Sequence, residues 1–158
     1  MKFLHQPPFG SDTIKLILPH RYPFLLIDTV DHLDEAGVRG RKLLTVNEEV
    51  FNGHFPQQAV YPGVLQVETM AQLGAVWVLS QEEHAGKIAY LMGVNNAKFR
   101  RPALPGQVLH VEGVVSKMRS RTGQLDARIL VDGKEISSAE ILFAFAKHEP
   151  AGSGAAAD

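Results

Sequence analysis

Between Pro62 and Gln81 the chain carries a single charged side chain, Glu68, and no proline. Val64, Leu65, Val67, Met70, Ala71, Leu73 and Ala75 to Leu79 put apolar groups on nearly every helical face, with Gly74 the one glycine after Val64. A helix that is apolar all round must be surrounded by protein or by lipid. Gln66, Glu68 and Gln72 break the run well short of a bilayer span, which takes about 20 consecutive apolar residues. The stretch is therefore predicted to be a helix enclosed by the rest of the chain. Pro62 suits its first turn, where a missing N–H costs nothing. Gln81-Glu-Glu-His84, followed by Gly86, supplies the stop.

The flanking sequence has to provide the enclosure, and it reads as strands. Phe24 to Val30 is rich in bulky apolar residues, Gly37 to Val46 alternates loosely, and Ile88 to Val94 follows the helix. Val108 to Met118 has period two, with a slip at Gly113 that reads as a bulge. Leu125 to Val131, Asp132-Gly133 and Ile136 to Ala146 form a hairpin signal. One early buried helix with long antiparallel strands is most economically a curved antiparallel sheet wrapped around that helix. This is an α+β architecture, the hotdog fold. Residues 1–149 are expected to form a single domain, with the first dozen residues loosely held. Pro150 to Asp158 has no large apolar side chain and is expected to be a disordered tail.

Composition narrows the partners. Sixteen Lys and Arg stand against 17 Asp and Glu, so there is no global basic field for nucleic acid, and any electrostatic partner must be met by a local patch. With no Cys there is no disulfide, thiolate nucleophile or cysteine metal site. Met1 to Ser11 lacks the apolar core of a signal peptide. The expectation is a soluble, cytoplasmic protein that neither binds nucleic acid nor inserts into a membrane.

Glu68 is the most informative residue. A carboxylate on a buried helix is costly unless it is paired or functional, and burial would raise its pKa so that it could act as an acid. The structural alternative is a carboxylate capped by Gln72 or a backbone N–H. His54 lies in the turn-rich Asn52-Gly-His-Phe-Pro56, close enough in sequence for both side chains to reach one pocket. A neutral imidazole is a competent base, although a lone loop histidine commonly serves only local hydrogen bonding. At the helix start, the free N–H groups of Gly63 and Val64 could polarise a carbonyl oxygen that gains charge as an enolate forms. Base, acid and oxyanion donors around a greasy pocket suit α-proton abstraction from an acyl thioester with loss of a β-hydroxyl. The remaining histidines show no metal-ligand spacing, and no phosphate-binding glycine loop or serine elbow is present, so no metal is expected. Lys98-Phe-Arg-Arg101 is a compact basic patch: either a solvated strand end or a dock for an acidic partner.

Three stretches resemble the 3-hydroxyacyl-[acyl-carrier-protein] dehydratases of bacterial type II fatty acid synthesis. They are Leu18-Pro-His-Arg-Tyr-Pro-Phe-Leu-Leu-Ile-Asp28; Asn52-Gly-His-Phe-Pro56 with Tyr61-Pro-Gly-Val-Leu65, Glu68 and Ala71-Gln72; and Lys98-Phe-Arg-Arg-Pro102 with Pro105-Gly106. The likeness spans roughly Ile14 to Ala146. It implies the hotdog fold and homodimers with composite sites, often as trimers of dimers. It makes His54 the base and Glu68 the acid in dehydrating a (3R)-3-hydroxyacyl group to the trans-2-enoyl product. The substrate is carried on the phosphopantetheine arm of acyl carrier protein, and no cofactor is needed. Gly63 and Val64 then bind the thioester carbonyl, Gln72 orients Glu68, Phe55 lines the substrate site, and Lys98, Arg100 and Arg101 meet the carrier protein. Tyr90 is either a tunnel-gating aromatic or sheet core. Glu in place of Asp at position 68 points to the plain dehydratase and away from the dehydratase/isomerase. Gln57, Ala59 and Glu49 depart from the family's usual residues and alter the loop that shapes the pocket. A hotdog thioesterase, a paralogue serving a specialised acyl or polyketide-like pathway, and a non-catalytic acyl-carrier or lipid-binding module remain as alternatives.

Overall fold

The computed structural model describes residues 1–147. In chain order the elements are β1 (Phe9–Gly10), α1 (Ser11–Ile17), β2 (Thr29–Asp34), β3 (Gly37–Leu43), α2 (Val50–Gly53), α3 (Gly63–Leu79), β4 (Lys87–Phe99), β5 (Val108–Met118), β6 (Thr122–Val131) and β7 (Lys134–Lys147). The strands form one seven-stranded sheet in the order β1-β2-β3-β5-β6-β7-β4, and every neighbouring pair is antiparallel. This is the expected hotdog architecture. The expected C-terminal tail lies outside the described residues.

The apolar stretch is the enclosed helix. Met70, Leu73, Val76 and Val78 of α3 are fully buried in one core cluster with Leu109, Val111, Leu125, Ile129 and Ile141 from the sheet. Each such side chain contributes about 1.5–3 kcal/mol by leaving water. Close approach of helix and sheet depends on Gly74, since a Cβ there would stand 2.6 Å from the Leu125 side chain. Trp77 adds a polar tie, its indole N–H donating to the Asp34 carbonyl at 2.8 Å. The helix is not enclosed all round. Val64 is exposed, and Leu65, Glu68 and Ala71 are only partly covered, which leaves an open stripe on its N-terminal half.

The Asp132-Gly133 turn is present, with both residues at positive φ (50° and 73°) as a type I′ hairpin requires. Three local expectations need correction. Phe24 to Val30 is not one strand: β2 starts at Thr29, and before it the Leu26 N–H and the Phe24 carbonyl bond the Gln72 side chain, while the Asp28 N–H donates to the Arg41 carbonyl of β3. The irregularity in β5 falls between Val115 and Lys117, while Gly113 pairs regularly with Val38 and Ala127. The N-terminus is not loosely held. Phe3 bridges to Gln81, Leu4 N–H donates to the Ser80 carbonyl, β1 pairs with β2, and Ile14 of α1 is fully buried. No described helix is long and apolar enough to cross a membrane.

Candidate active site

Glu68 projects from the open stripe of α3, with its side chain 19% exposed. Its Oε1 accepts a hydrogen bond from the Gln72 side-chain amide at 2.9 Å, one helical turn on. Gln72 is itself fully committed. Its Oε1 accepts from the Leu26 N–H at 2.8 Å, and its amide also donates to the Phe24 carbonyl at 2.7 Å. Those two backbone partners fix which end of the amide faces Glu68. Gln72 therefore holds Glu68 Oε1 from a buried position.

Glu68 and Gln72 face a partly open cavity of about 180 Å³ between α3 and the sheet. Leu125, Ile141 and Phe143 give it an apolar floor, and Tyr90 of β4 stands in its wall. Tyr90 is half exposed, so it belongs to the cavity's rim and is not sheet core. The wall also holds His20, whose Nε2 lies 3.7 Å from Glu68 Oε1. Burial is the main influence on His20 and lowers its pKa; Glu68 opposes that shift and Arg21 reinforces it. Sequence reasoning passed over His20 because it tested the histidines only for metal spacing. The available signal was its place inside Leu18-Pro-His-Arg21, the first of the resembling stretches.

His54 caps the C-terminal end of α2. Its ring Nδ1 is 2.8 Å from the Val60 carbonyl, an atom that can only accept. The hydrogen therefore sits on Nδ1 in the neutral ring, and Nε2 carries the basic lone pair. Phe55 stacks on the imidazole with ring centroids 4.0 Å apart. Backbone bonds in both directions between Phe55 and Gln58, and from Val60 N–H to the His54 carbonyl, close the intervening loop. These bonds do not depend on the side chains at Gln57 and Ala59. Glu49, the third departure, accepts from the Tyr22 hydroxyl at 3.2 Å, which raises the pKa of that phenol.

The loop delivers the chain to α3 through Tyr61. Its N–H donates to the Ala103 carbonyl at 2.8 Å, its carbonyl accepts from the Gln66 amide, and its buried hydroxyl donates to Thr69 Oγ1, which in turn donates to the Leu65 carbonyl. Burial pushes the phenol's pKa far up, so it stays a neutral donor. Gly63 and Val64 follow as the first residues of α3, where N–H groups have no carbonyl in the preceding turn. A Cβ on Gly63 would stand 3.0 Å from the Phe99 ring.

The predicted site residues thus fall into two groups. Glu68, Gln72 and Tyr90 share the cavity, whereas His54, Phe55, Gly63 and Val64 are absent from its lining. The basic patch is also less uniform than its sequence suggests. Lys98 and Arg100 lie near or just past the end of β4, but Arg100 pairs with Glu135 at 2.7 Å and donates to Ser138 Oγ at 3.0 Å. Among the described residues neither Lys98 nor Arg101 has such a carboxylate partner, and no group of His, Asp and Glu could hold a metal.

Comparison with known proteins converges on one family. The model of the FabA-like domain matches residues 18–140. A 3-hydroxyacyl-[acyl-carrier-protein] dehydratase FabZ from Clostridium botulinum (strain Loch Maree / Type A3) is 50% identical over 135 residues, covering 85% of this chain and 94% of that protein. The same enzyme from Clostridium novyi (strain NT) is 51% identical over 140 residues, covering 87% and 98%. Among solved structures, the dehydratase heterocomplex ApeI:P from Xenorhabdus doucetiae superposes with a TM-score of 0.76 at 18% identity, over 90% of this chain and 93% of that one, which supports the fold. With half of the aligned residues identical to theirs along almost their entire length, the chain belongs to the FabA-like family, among the FabZ-type 3-hydroxyacyl-[acyl-carrier-protein] dehydratases.

Proposed function

We propose that the chain dehydrates (3R)-3-hydroxyacyl groups on acyl carrier protein to trans-2-enoyl thioesters in fatty acid synthesis. His54 Nε2 removes the C2 proton. The C–H electrons form the C2=C3 double bond, the C3–O bond breaks, and the Glu68 carboxyl group gives its proton to the departing hydroxyl, which leaves as water. The Gly63 and Val64 N–H groups hold the thioester oxygen as it gains charge. The thioester itself acidifies C2, so these steps draw on no cofactor. The observation that carries this reading is the opposite preparation of the two groups. His54 is locked with its lone pair outward by Val60, and Glu68 is clamped by Gln72 over an apolar cavity.

The separation of His54 from the Glu68 cavity supports a site completed by a second copy of the chain. β4 ends the sheet, and Leu91, Met92 and Phe99 on it are at least half exposed, as are Val64 and Phe55 nearby in the fold. A long apolar edge strand is a template for pairing with another chain. In the proposed homodimer, the base of one protomer faces the acid of its partner, and dimers assemble further into trimers of dimers.

The test uses 3-hydroxybutyryl- and crotonyl-carrier protein, with enoyl absorbance and free thiol followed together. Reversible interconversion without thiol release is expected. Thiol release without an enoyl signal would mean a thioesterase, and no turnover would mean a binding module.

A further inference from the structure

His20 is a titratable cavity group that the proposed steps leave unused. Its Nε2 stands 3.7 Å from Glu68 Oε1, and its Nδ1 is buried without a hydrogen-bond partner. A neutral imidazole carries one N–H and one lone pair. With the hydrogen on Nδ1, a donor would be buried with no acceptor; with it on Nε2, the donor sits on the nitrogen 3.7 Å from Glu68 Oε1 and only an acceptor goes unmet. Orphaned buried N–H groups are the rarer and costlier case, so the Nε2–H form is favoured. Burial depresses ionisation of the ring despite the nearby Glu68, and Arg21 adds to the effect, so His20 meets Glu68 as a neutral donor. Its setting is rigid. The Arg21 guanidinium donates to the carbonyls of Lys15, Leu18 and His20, strapping the turn, and the imidazole stacks near Phe24 at 6.3 Å between centroids.

We propose that His20 is a positioning residue for Glu68 whose Nε2–H stabilises the carboxylate formed when Glu68 gives up its proton. This rests on the reading of Glu68 as the acid. At 3.7 Å the contact is looser than a hydrogen bond and can tighten as negative charge develops, whereas the Gln72 amide is already at 2.9 Å. An interaction that strengthens between ground state and transition state raises kcat and leaves substrate binding almost unchanged.

The experiment compares His20→Ala, His20→Phe and His20→Gln with the unaltered enzyme, and repeats His20→Ala in a Glu68→Gln background. Loss of a donor to a developing charge should lower kcat roughly ten- to a hundredfold with KM within about twofold. His20→Phe, which keeps a ring beside Phe24 but no donor, should match alanine, and it replaces alanine if that variant fails to fold. His20→Gln, which returns an N–H, should recover most of the loss. On the residual turnover of Glu68→Gln, removing His20 should cost nothing further. Unchanged kcat in the folded alanine or phenylalanine variant, equal loss in the glutamine variant, or a full further loss in the Glu68→Gln background would each overturn the positioning role. Full activity of Glu68→Gln alone would instead remove the acid assignment, and the role of His20 with it.

Discussion

Glu68 and Gln72 stand one turn apart on α3, and the Gln72 amide reaches Glu68 Oε1 at 2.9 Å while also holding the backbone of Phe24 and Leu26. One buried side chain therefore ties the Glu68 carboxyl group to the fold. Gln72→Ala should cost both. It leaves the buried Leu26 N–H without its partner, at about 1–3 kcal/mol, and releases the more exposed Phe24 carbonyl to solvent. It also frees the carboxyl group to rotate. A urea midpoint lowered together with kcat is the expected pair of results; a loss of kcat at unchanged stability would mean that the backbone bonds are dispensable.

The proposed acid and base should be separable from the fold. His54→Ala and Glu68→Gln are each expected to lose roughly a hundred- to ten-thousandfold in turnover, the usual contribution of a general acid or base. Both side chains are partly exposed, so circular dichroism and oligomer size should not change. Near-normal hydration of crotonyl-carrier protein by His54→Ala would remove it as the base.

Carrier docking should depend on Lys98 and Arg101 more than on Arg100, whose charge is already met by Glu135. Reversing Lys98 and Arg101 to Glu should raise KM for carrier-bound substrate far more than for a short pantetheine thioester. Added salt should mimic the change, since exposed charges are screened over about 10 Å at 0.1 M ionic strength. Equal losses on both substrates would mean that the patch is structural.

The helix and the sheet were legible in the sequence, and so was the one carboxylate on that helix, for reasons local to each. An apolar run holding one carboxylate can be read without knowing its neighbours, and so can Asp132-Gly133 between two strands. What it hid was set by contacts distant in sequence. Phe24 to Ile27 has strand composition, but its backbone is bonded by a glutamine 46 and 48 positions on. Arg100 reads as a free cation until the sheet brings Glu135 beside it. His20 shows no pattern of its own and gains meaning only from the 3.7 Å gap to Glu68. The open stripe on α3 is another such case, because periodicity alone gives no sign that one face of an apolar helix lacks cover.

Stability should fall below about pH 6.5 through His84. This residue is buried against the Phe145 ring at 4.4 Å, and its Nδ1 accepts from the Lys87 ammonium at 3.0 Å. Burial, and then the Lys87 charge, lower its pKa from 6.5, with Glu83 opposing. A depressed histidine favours the neutral folded form. As pH falls through the unfolded value, the unfolded chain takes up the proton first and stability drops, levelling only below the folded pKa. At neutral pH, where both forms are uncharged, the contribution vanishes. His84→Gln, which keeps an acceptor but does not titrate, should flatten the decline of the urea midpoint between pH 7 and pH 5. An unchanged slope would assign the decline to other groups, His20 first among them, since burial shifts it the same way.

Site assembly gives the sharpest outcome. If His54 of one protomer works with Glu68 of its partner, a two-fold dimer contains two equivalent shared sites. Let His54→Ala and Glu68→Gln proteins, each inactive alone, be unfolded together and refolded. Random pairing makes about half the dimers mixed, and each mixed dimer holds one doubly altered site and one site with both native groups. Roughly a quarter of unaltered activity should therefore return. Had both groups come from one chain, every site would carry one lesion and none would recover. Mass spectrometry of intact dimers verifies that exchange took place. With exchange verified, an inactive mixture would leave the acid and base within a single protomer and rule out the shared site.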